Sequence, residues 1–424
     1  MHLRLGIAAG LAALAMAGIP AQAQNASPST PPPTPTPPPA AARPFQGTAL
    51  GDGPWDFHTE HGDIHVAVVA RLERPWGMAF LPEGGMLVTE RVGRLRYIDA
   101  SGRLDPEPIG GLPAMYTLGI AGLDGIALHP DFVHNRLVYM AYSKISPDDP
   151  SVSTLAVMRG RWAPGAHQLT DVEDIFVADT WYGAQPLPER CCGQGPAFGS
   201  YGGRLLFDAD GYLFVTSGDR NWGEQVQDPS TQYGKIFRLN DDGSIPPGNP
   251  WVGLDGHEPR TWATGFRNPL GLTINPSTGE LWESEFGPRG GDEVNRIVRG
   301  GNYGWITVTQ GMHYNGQQAE YISNQPGYID PVLRFGPPSL NPGNLTFYSG
   351  ETLPGWNGNL LLASFTQGLL RYDTDQLGNP VGQPEHLLTQ LGQRWRDVQE
   401  APDGSLYLLT DMVEGAVLRV TPGD

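Results

Sequence analysis

One phrase recurs along the chain: an apolar strand, a turn of the Pro-Asp-Gly kind, a second apolar strand, then polar residues. Its copies are WGMAFLPEGGMLVTERVGRLRYI from Trp76, LDGIALHPDFVHNRLVYMAYS from Leu123, GGRLLFDADGYLFVTSGD from Gly202, LGLTINPSTGELWESEFG from Leu270, LTFYSGETLPGWNGNLLLASF from Leu345 and RDVQEAPDGSLYLLTD from Arg396. Repetition constrains a fold more than any single motif, because a repeated unit must bury its apolar face against its neighbours. Pro and Gly are excluded from central ladders, so they mark the turn. Each copy therefore reads as a β-hairpin flanked by Val, Leu, Ile, Tyr and Phe. A spacing of roughly 45 to 80 residues suits blades with insertions. Six copies predict an all-β, six-bladed propeller of four-stranded antiparallel blades around a central channel. A β-sandwich is the competing reading, which six full repeats disfavour. With 57 Gly and 41 Pro in 424 residues, the composition suits a turn-dense β fold.

The start of the chain has a different character. Arg4 precedes an apolar run from Leu5 to Ile19, and Ala21-Gln22-Ala23 follows as a small-x-small cleavage site. This reads as a signal peptide over residues 1–23, too short to span a bilayer. Residues 24–44 hold Pro31-Pro32-Pro33 and Thr-Pro repeats, the composition of an extended spacer that buries no core. The propeller domain is expected over 45–424. No later stretch is apolar enough to cross a membrane, so a periplasmic or secreted protein is expected.

The formal charge is −18, with Lys and Arg totalling 27 against 45 Asp and Glu. That excludes nucleic-acid binding, whose affinity comes from basic neutralisation of phosphates. A small-molecule partner is compatible. The two cysteines are adjacent, Cys191-Cys192. In an oxidising compartment they are candidates for a vicinal disulfide, with two free thiols or a metal pair as alternatives.

Loops at one mouth of a propeller build its site, so polar residues beside the hairpins deserve most weight. Arg267 and Asn268 stand before Pro269 at a strand entry, where a planar, permanently charged guanidinium suits a carboxylate ligand or a surface ion pair. Gly287-Pro288 exposes carbonyls, and Asp292 and Glu293 add hard oxygens, with Glu285 near. Such oxygens suit Ca²⁺, or a turn stabilised by its own aspartate. Arg394 and Arg396 flank Trp395, and period two puts both on one strand face, positioned for a polyanion or for solvent. His129 reads as a turn residue. Neither a Ser-His-Asp set nor a phosphate-cradling glycine loop is present.

Together the phrases TERVGRLR, IALHPDF, GKIFRLNDDGSIPPGNP, GFRNPLGL, FGPRGGDE, GGNYGW and RWRDV resemble the glucose/sorbosone dehydrogenase family over nearly the whole chain after the spacer. The resemblance implies a propeller that binds pyrroloquinoline quinone (PQQ) through Ca²⁺. It implies base-assisted hydride transfer from a sugar or alcohol carbon to the quinone, a lactone or carbonyl product, and an external electron acceptor. By motif, Arg267 and Asn268 match residues that contact the quinone, and Arg394 and Arg396 match the pair facing its carboxylates. Gly287 and Pro288 match carbonyl donors to the cofactor's Ca²⁺. Glu293 and the carbonyl of Tyr303 match a second, structural Ca²⁺ site.

Four positions depart from the pattern. The family's catalytic His aligns with Ser200 in GSYGGRL, and an often acidic neighbour aligns with Gly199. A cofactor-side Gln aligns with Ile120, and a Lys aligns with Thr366. An unaided Ser is a poor base. The expected function is a PQQ-dependent oxidoreductase with an altered site. The alternatives are a Ca²⁺-dependent propeller hydrolase or lyase, and a non-catalytic ligand-binding propeller.

Overall fold

The computed structural model describes residues 47–183, 199–313 and 322–423. The signal peptide, the spacer and Cys191-Cys192 lie outside the described residues.

All six repeats form hairpins. Their first strands are Pro75–Phe80, Leu123–Leu128, Gly202–Phe207, Pro269–Ile274, Pro342–Phe347 and Trp395–Glu400, which open blades 1 to 6 in that order. Each first strand packs against the first strand of the next blade, and Trp395–Glu400 packs against Pro75–Phe80. The blades thus close into a ring around an axial channel. Blades 2 to 5 are four-stranded antiparallel sheets in simple sequence order.

Blades 1 and 6 depart from four strands. Blade 1 has three strands, supplemented by isolated bridges from Leu95 to Ile109 and from Ile98 to Leu104. Blade 6 has five, because two N-terminal strands join three from the C-terminus. The strand Gly62–Leu72 pairs antiparallel with Gly415–Pro422, in register from Ile64↔Pro422 to Leu72↔Gly415. This long-range pairing builds the N-terminal segment into the last blade and covers an edge that would otherwise lie open.

The core is layered between blades. Leu123, Val138 and Met140 pack with Leu87 and Leu95 between blades 1 and 2, and Tyr139, Val157 and Phe237 pack between blades 2 and 3. Trp282 and Phe347 meet between blades 4 and 5, and Trp356 and Trp395 between blades 5 and 6. Each fully buried large side chain contributes about 1.5–3 kcal/mol relative to exposure.

One irregularity recurs and positions the site. In every blade the first strand carries a register shift near its start: Pro75/Gly77, Leu123/Ile126, Gly202/Leu205, Pro269/Gly271, Pro342/Leu345 and Trp395/Asp397. A bulge bends its strand and re-aims a side chain. Glycines at these points let neighbouring first strands approach closely. A Cβ on Gly125 would stand 2.2 Å from the Gly203 carbonyl oxygen, and one on Gly343 would stand 2.4 Å from that of Arg396.

Candidate active site at the channel mouth

The bulged ends of the first strands surround a cavity of about 630 Å³. Trp76, Asp124, Gly202, Leu270 and Arg396 enter it from five blades, and Arg74, Arg91, Asn268, Phe365, Arg394 and Asp411 add to a polar and aromatic wall that also holds Tyr201, Phe286 and Glu414. It is an arginine-rich pocket with aromatic sides. Arg394 and Arg396 lie over the Phe365 ring, 4.1 and 4.5 Å from its centroid, and Arg396 also lies 5.5 Å from the centre of Trp76.

Asp411 organises the arginines. Its Oδ2 is 3.2 Å from Nη2 of both Arg394 and Arg396, and its Oδ1 is 3.4 Å from Arg91 Nη1. Burial pushes this carboxyl up, but Arg396, Arg91 and Arg394 together outweigh burial and hold it well below the usual range. One carboxylate shared by three guanidinium groups leaves the wall electropositive. Arg396 Nε is buried with no hydrogen-bond partner among the described residues. An anionic ligand with planar carboxylates suits such a donor set.

Asn268 reaches the same cavity, and its Oδ1 accepts the N–H of Gly202 at 3.1 Å. Arg267 does not line it. Its Nη1 donates to the carbonyls of Phe286 at 3.1 Å and Gly287 at 3.2 Å, and its guanidinium stands 5.8 Å from the Trp305 ring centre. The expectation that Arg267 and Asn268 act side by side on one ligand is therefore divided. Asn268 faces the cavity, while Arg267 faces a small adjoining void.

That void, of about 10 Å³, has room for about one water-sized sphere and is lined by Arg267, Glu285, Gly287, Glu293, Tyr303 and Trp305 among others. Glu285 and Glu293 are directly paired in register on neighbouring strands, and both are buried. Glu283 lies one pleat away, and its Oε1 has no partner among the described residues. Burial raises all three carboxyls, and Glu285 adds to the rise at Glu283 and Glu293. Buried acids crowded together in this way suit a hard cation ligated by carboxylate and carbonyl oxygens. No cluster of three or more His, Cys, Asp or Glu in metal-binding geometry occurs among the described residues, so such a site must draw on carbonyls. Pro288 turns its carbonyl toward Gly311, where a Cβ would stand 2.7 Å from it. Asp292 caps its own loop, accepting from Gly287 N–H at 2.8 Å and from the Ser339 hydroxyl.

Ser200 is buried with φ +51°, and its hydroxyl donates to Asn221 Oδ1 at 3.3 Å, away from the cavity wall. Gly199 offers its carbonyl to Arg220. Thr366 donates to the Leu340 carbonyl at 2.9 Å. Ile120 lies on the cavity rim and is 44% exposed. His129 Nδ1 accepts the N–H of Asp131 at 2.9 Å, in keeping with a turn role.

Sequence reading passed over Asp411, Arg91, Arg74 and Asp124. Asp411 and Arg91 each follow the second strand of a hairpin, Leu406–Thr410 and Met86–Glu90, so their place after corresponding strands was the available signal. Asp124 sits in an otherwise apolar strand, LDGIAL. That break in pattern was its signal.

The model of the family described as "Glucose / Sorbosone dehydrogenase" matches residues 72–419. The chain is 36% identical over 368 residues to the aldose sugar dehydrogenase YliI of Escherichia coli K12, covering 85% of this chain and 93% of that protein. Among solved structures it resembles the apo-form of the soluble aldose sugar dehydrogenase of Escherichia coli, with a TM-score of 0.76 and 34% identity over 85% of this chain and all of that one (100%). It also resembles the PQQ-bound aldose sugar dehydrogenase of Streptomyces coelicolor, with a TM-score of 0.66 and 25% identity over 88% of this chain and 99% of that one. With its six-bladed ring and its arginine-walled channel mouth, the chain belongs to the glucose/sorbosone dehydrogenase family.

Proposed function

We propose that the protein is an exported PQQ-dependent oxidoreductase that converts an aldose or related alcohol to a lactone or carbonyl product. The carrying observation is Asp411 shared among Arg91, Arg394 and Arg396 beside a cavity of about 630 Å³. A tricarboxylate cofactor matches that excess of guanidinium groups, and the PQQ-bound relative shares the fold. When bound, the quinone supplies a two-electron acceptor for the hydride of the substrate's carbinol carbon.

The protein's own groups do the rest. Arg394 and Arg396 hold the cofactor's carboxylates, and Asp411 fixes both guanidinium groups in place. Trp76, Phe286 and Phe365 offer apolar faces to a flat ring system and narrow the space left to water. Asn268 fixes the cofactor's orientation through its amide. Arg267 acts from the adjoining void, holding the Phe286-Gly287 turn through both carbonyls.

Calcium fits the same neighbourhood. Gly287 and Pro288 are kept as the carbonyl donors to a cofactor-linked Ca²⁺ that the family resemblance implies, although the Gly287 carbonyl accepts from Arg267 and neither residue lines the main cavity. Glu293 and the Tyr303 carbonyl are assigned to a structural one, where the ion would relieve the crowded buried carboxylates.

We assign residues 1–23 to export and residues 24–44 to a spacer, and turnover would require an external electron acceptor. No helix among the described residues is long and apolar enough to cross a membrane.

Reconstitution of the purified protein with PQQ and Ca²⁺ tests the reading. Saturable binding in the visible band with aldose-dependent dye reduction is expected. Absence of quinone binding would remove the proposal.

A further inference from the structure

We infer that Asp124 is the proton acceptor of this site, taking the hydroxyl proton of the alcohol as it is oxidised. The inference rests on the proposed quinone-dependent oxidation and deepens it, because Ser200, at the family's base position, points its hydroxyl at Asn221 and not into the cavity.

Position is the first argument. Asp124 falls within the bulge between Leu123 and Ile126. Those two neighbours enter the apolar layer between blades 1 and 2, whereas Asp124 lines the axial cavity. An acid has been placed on the channel side of a strand whose other residues are apolar.

Availability is the second. Asp124 is only 2% exposed, and neither carboxylate oxygen has a hydrogen-bond partner among the described residues. A buried carboxylate that serves structure is normally hydrogen-bonded or ion-paired. Three arginines face it, Arg91, Arg204 and Arg396, and none closes a salt bridge with it, although Arg204 Nη2 and Arg396 Nε have no hydrogen-bond partner among the described residues. Arg91 and Arg396 meet Asp411, and Arg204 donates to the Leu270 carbonyl at 2.9 Å and to Asp397 at 3.2 Å. The arginines supply field without closing a salt bridge, and Asp397 and Asp411 are the acids behind them.

Surroundings are the third. Gly203 adjoins the carboxylate: a Cβ there would lie 3.1 Å from Asp124 Cβ and 3.3 Å from Oδ2. Gly203, three residues along the same segment from Ser200, packs closely on the carboxylate with no side chain of its own, and both carboxylate oxygens are buried. Asp124 therefore stands on the side of the cavity where the family base would be sought.

The protonation state suits the task. Burial pushes the carboxyl up to about 7, against the opposing pull of Arg91, Arg396 and Arg204. A base is most effective when its pKa lies near the working pH.

The step balances. The substrate O–H bond breaks and its proton passes to Asp124. The oxygen's freed electron pair completes the C=O bond as the carbinol C–H pair leaves as hydride for the quinone. The alcohol loses two electrons and the cofactor gains them, and Asp124 then releases its proton to solvent.

Full-length protein loaded with PQQ and Ca²⁺ is compared with Asp124→Asn and Asp124→Glu for quinone affinity by visible titration and for the pH dependence of kcat. Infrared difference spectra of the cofactor-free proteins follow the carboxyl directly. Asp124→Asn is expected to keep quinone affinity and KM, to lose kcat by about 10²-fold or more, to lose the acid limb of the pH profile, and to lose a carboxyl band titrating near neutrality. Unchanged turnover with an intact acid limb would overturn the assignment, and so would loss of quinone binding in Asp124→Asn, which would make the residue part of the cofactor cradle. A wild-type protein that binds no quinone brings down the proposed function and this inference together, whereas normal wild-type binding and turnover with an unaffected variant brings down only the inference. Should Asp124→Asn fail to fold, Asp124→Glu decides: a displaced acid limb supports the role, and an unmoved one refutes it.

Discussion

Asp411 Oδ2 lies 3.2 Å from Arg396 Nη2, and both residues are almost fully buried at the channel mouth. They come from opposite ends of one hairpin, Arg396 within Trp395–Glu400 and Asp411 after Leu406–Thr410. The ladder between those strands therefore sets the geometry of the anion-binding wall. Because Arg91 arrives from blade 1, the same carboxylate also ties the last blade to the first.

Arg394→Ala and Arg396→Ala should each weaken PQQ affinity by about 1–3 kcal/mol, the range for a hydrogen bond to a charged group. Titration of the quinone's visible band measures this. Affinities equal to wild type in both variants would remove these arginines from the cofactor site.

Asp411→Asn should destabilise the fold by about 3–5 kcal/mol, since buried guanidinium groups would lose their shared counter-charge. The folded-state carboxyl is held below its unfolded value, so its contribution is present above the unfolded pKa and is lost as pH falls into the acid range. Denaturant titrations at neutral pH and in the acid range should show the gap between wild type and variant narrowing with acidity. A gap independent of pH would contradict the ionised, paired state.

Asp124 has the opposite sign. Its carboxyl is raised to about 7 from an ordinary 3.8, so the folded state binds the proton more tightly than the unfolded chain. Stability falls as pH rises between those values. Asp124→Asn should therefore be more stable than wild type above neutrality, by a few kcal/mol on the scale of about 1.4 kcal/mol per pKa unit. Equal melting temperatures at pH 8 would argue that the carboxylate has a partner in solution.

Ser200→Ala removes the hydroxyl that donates to Asn221 Oδ1 at 3.3 Å and that also helps to stabilise the buried Asp219 carboxylate. The expected cost is about 0.5–1.5 kcal/mol of stability with turnover little changed. A collapse of kcat without unfolding would make Ser200 catalytic.

Calcium should raise the melting temperature of the cofactor-free protein, by mass action on the folded state. Glu293→Gln removes one of the crowded carboxylates and an assigned ligand. The variant should respond less to Ca²⁺ and be at least as stable as wild type in chelator. An undiminished Ca²⁺ response would place the ion elsewhere.

The fold was legible in the sequence because a propeller is built from local units. Each hairpin is specified by its own turn and its own alternation, so the six first strands stand where the repeats put them, from Pro75 to Glu400. Arginines 394 and 396 were legible as a pair one residue apart, although Arg394 precedes the strand Trp395–Glu400 and Arg396 sits in its bulge, so strand alternation is not what brings them together. What local patterns do not encode is which residues meet across blades. The pairing of Gly62–Leu72 with Gly415–Pro422 joins segments more than three hundred residues apart, and no turn between them records it. The same holds at the site. Arg267 and Asn268 are adjacent in sequence, yet only Asn268 faces the main cavity. Asp124 reads as a flaw in an apolar strand until a bulge turns it into the channel. Alternation along a strand is set by neighbouring residues, whereas burial and charge at an axial pocket are set by ring closure, which brings side chains from every blade to one point.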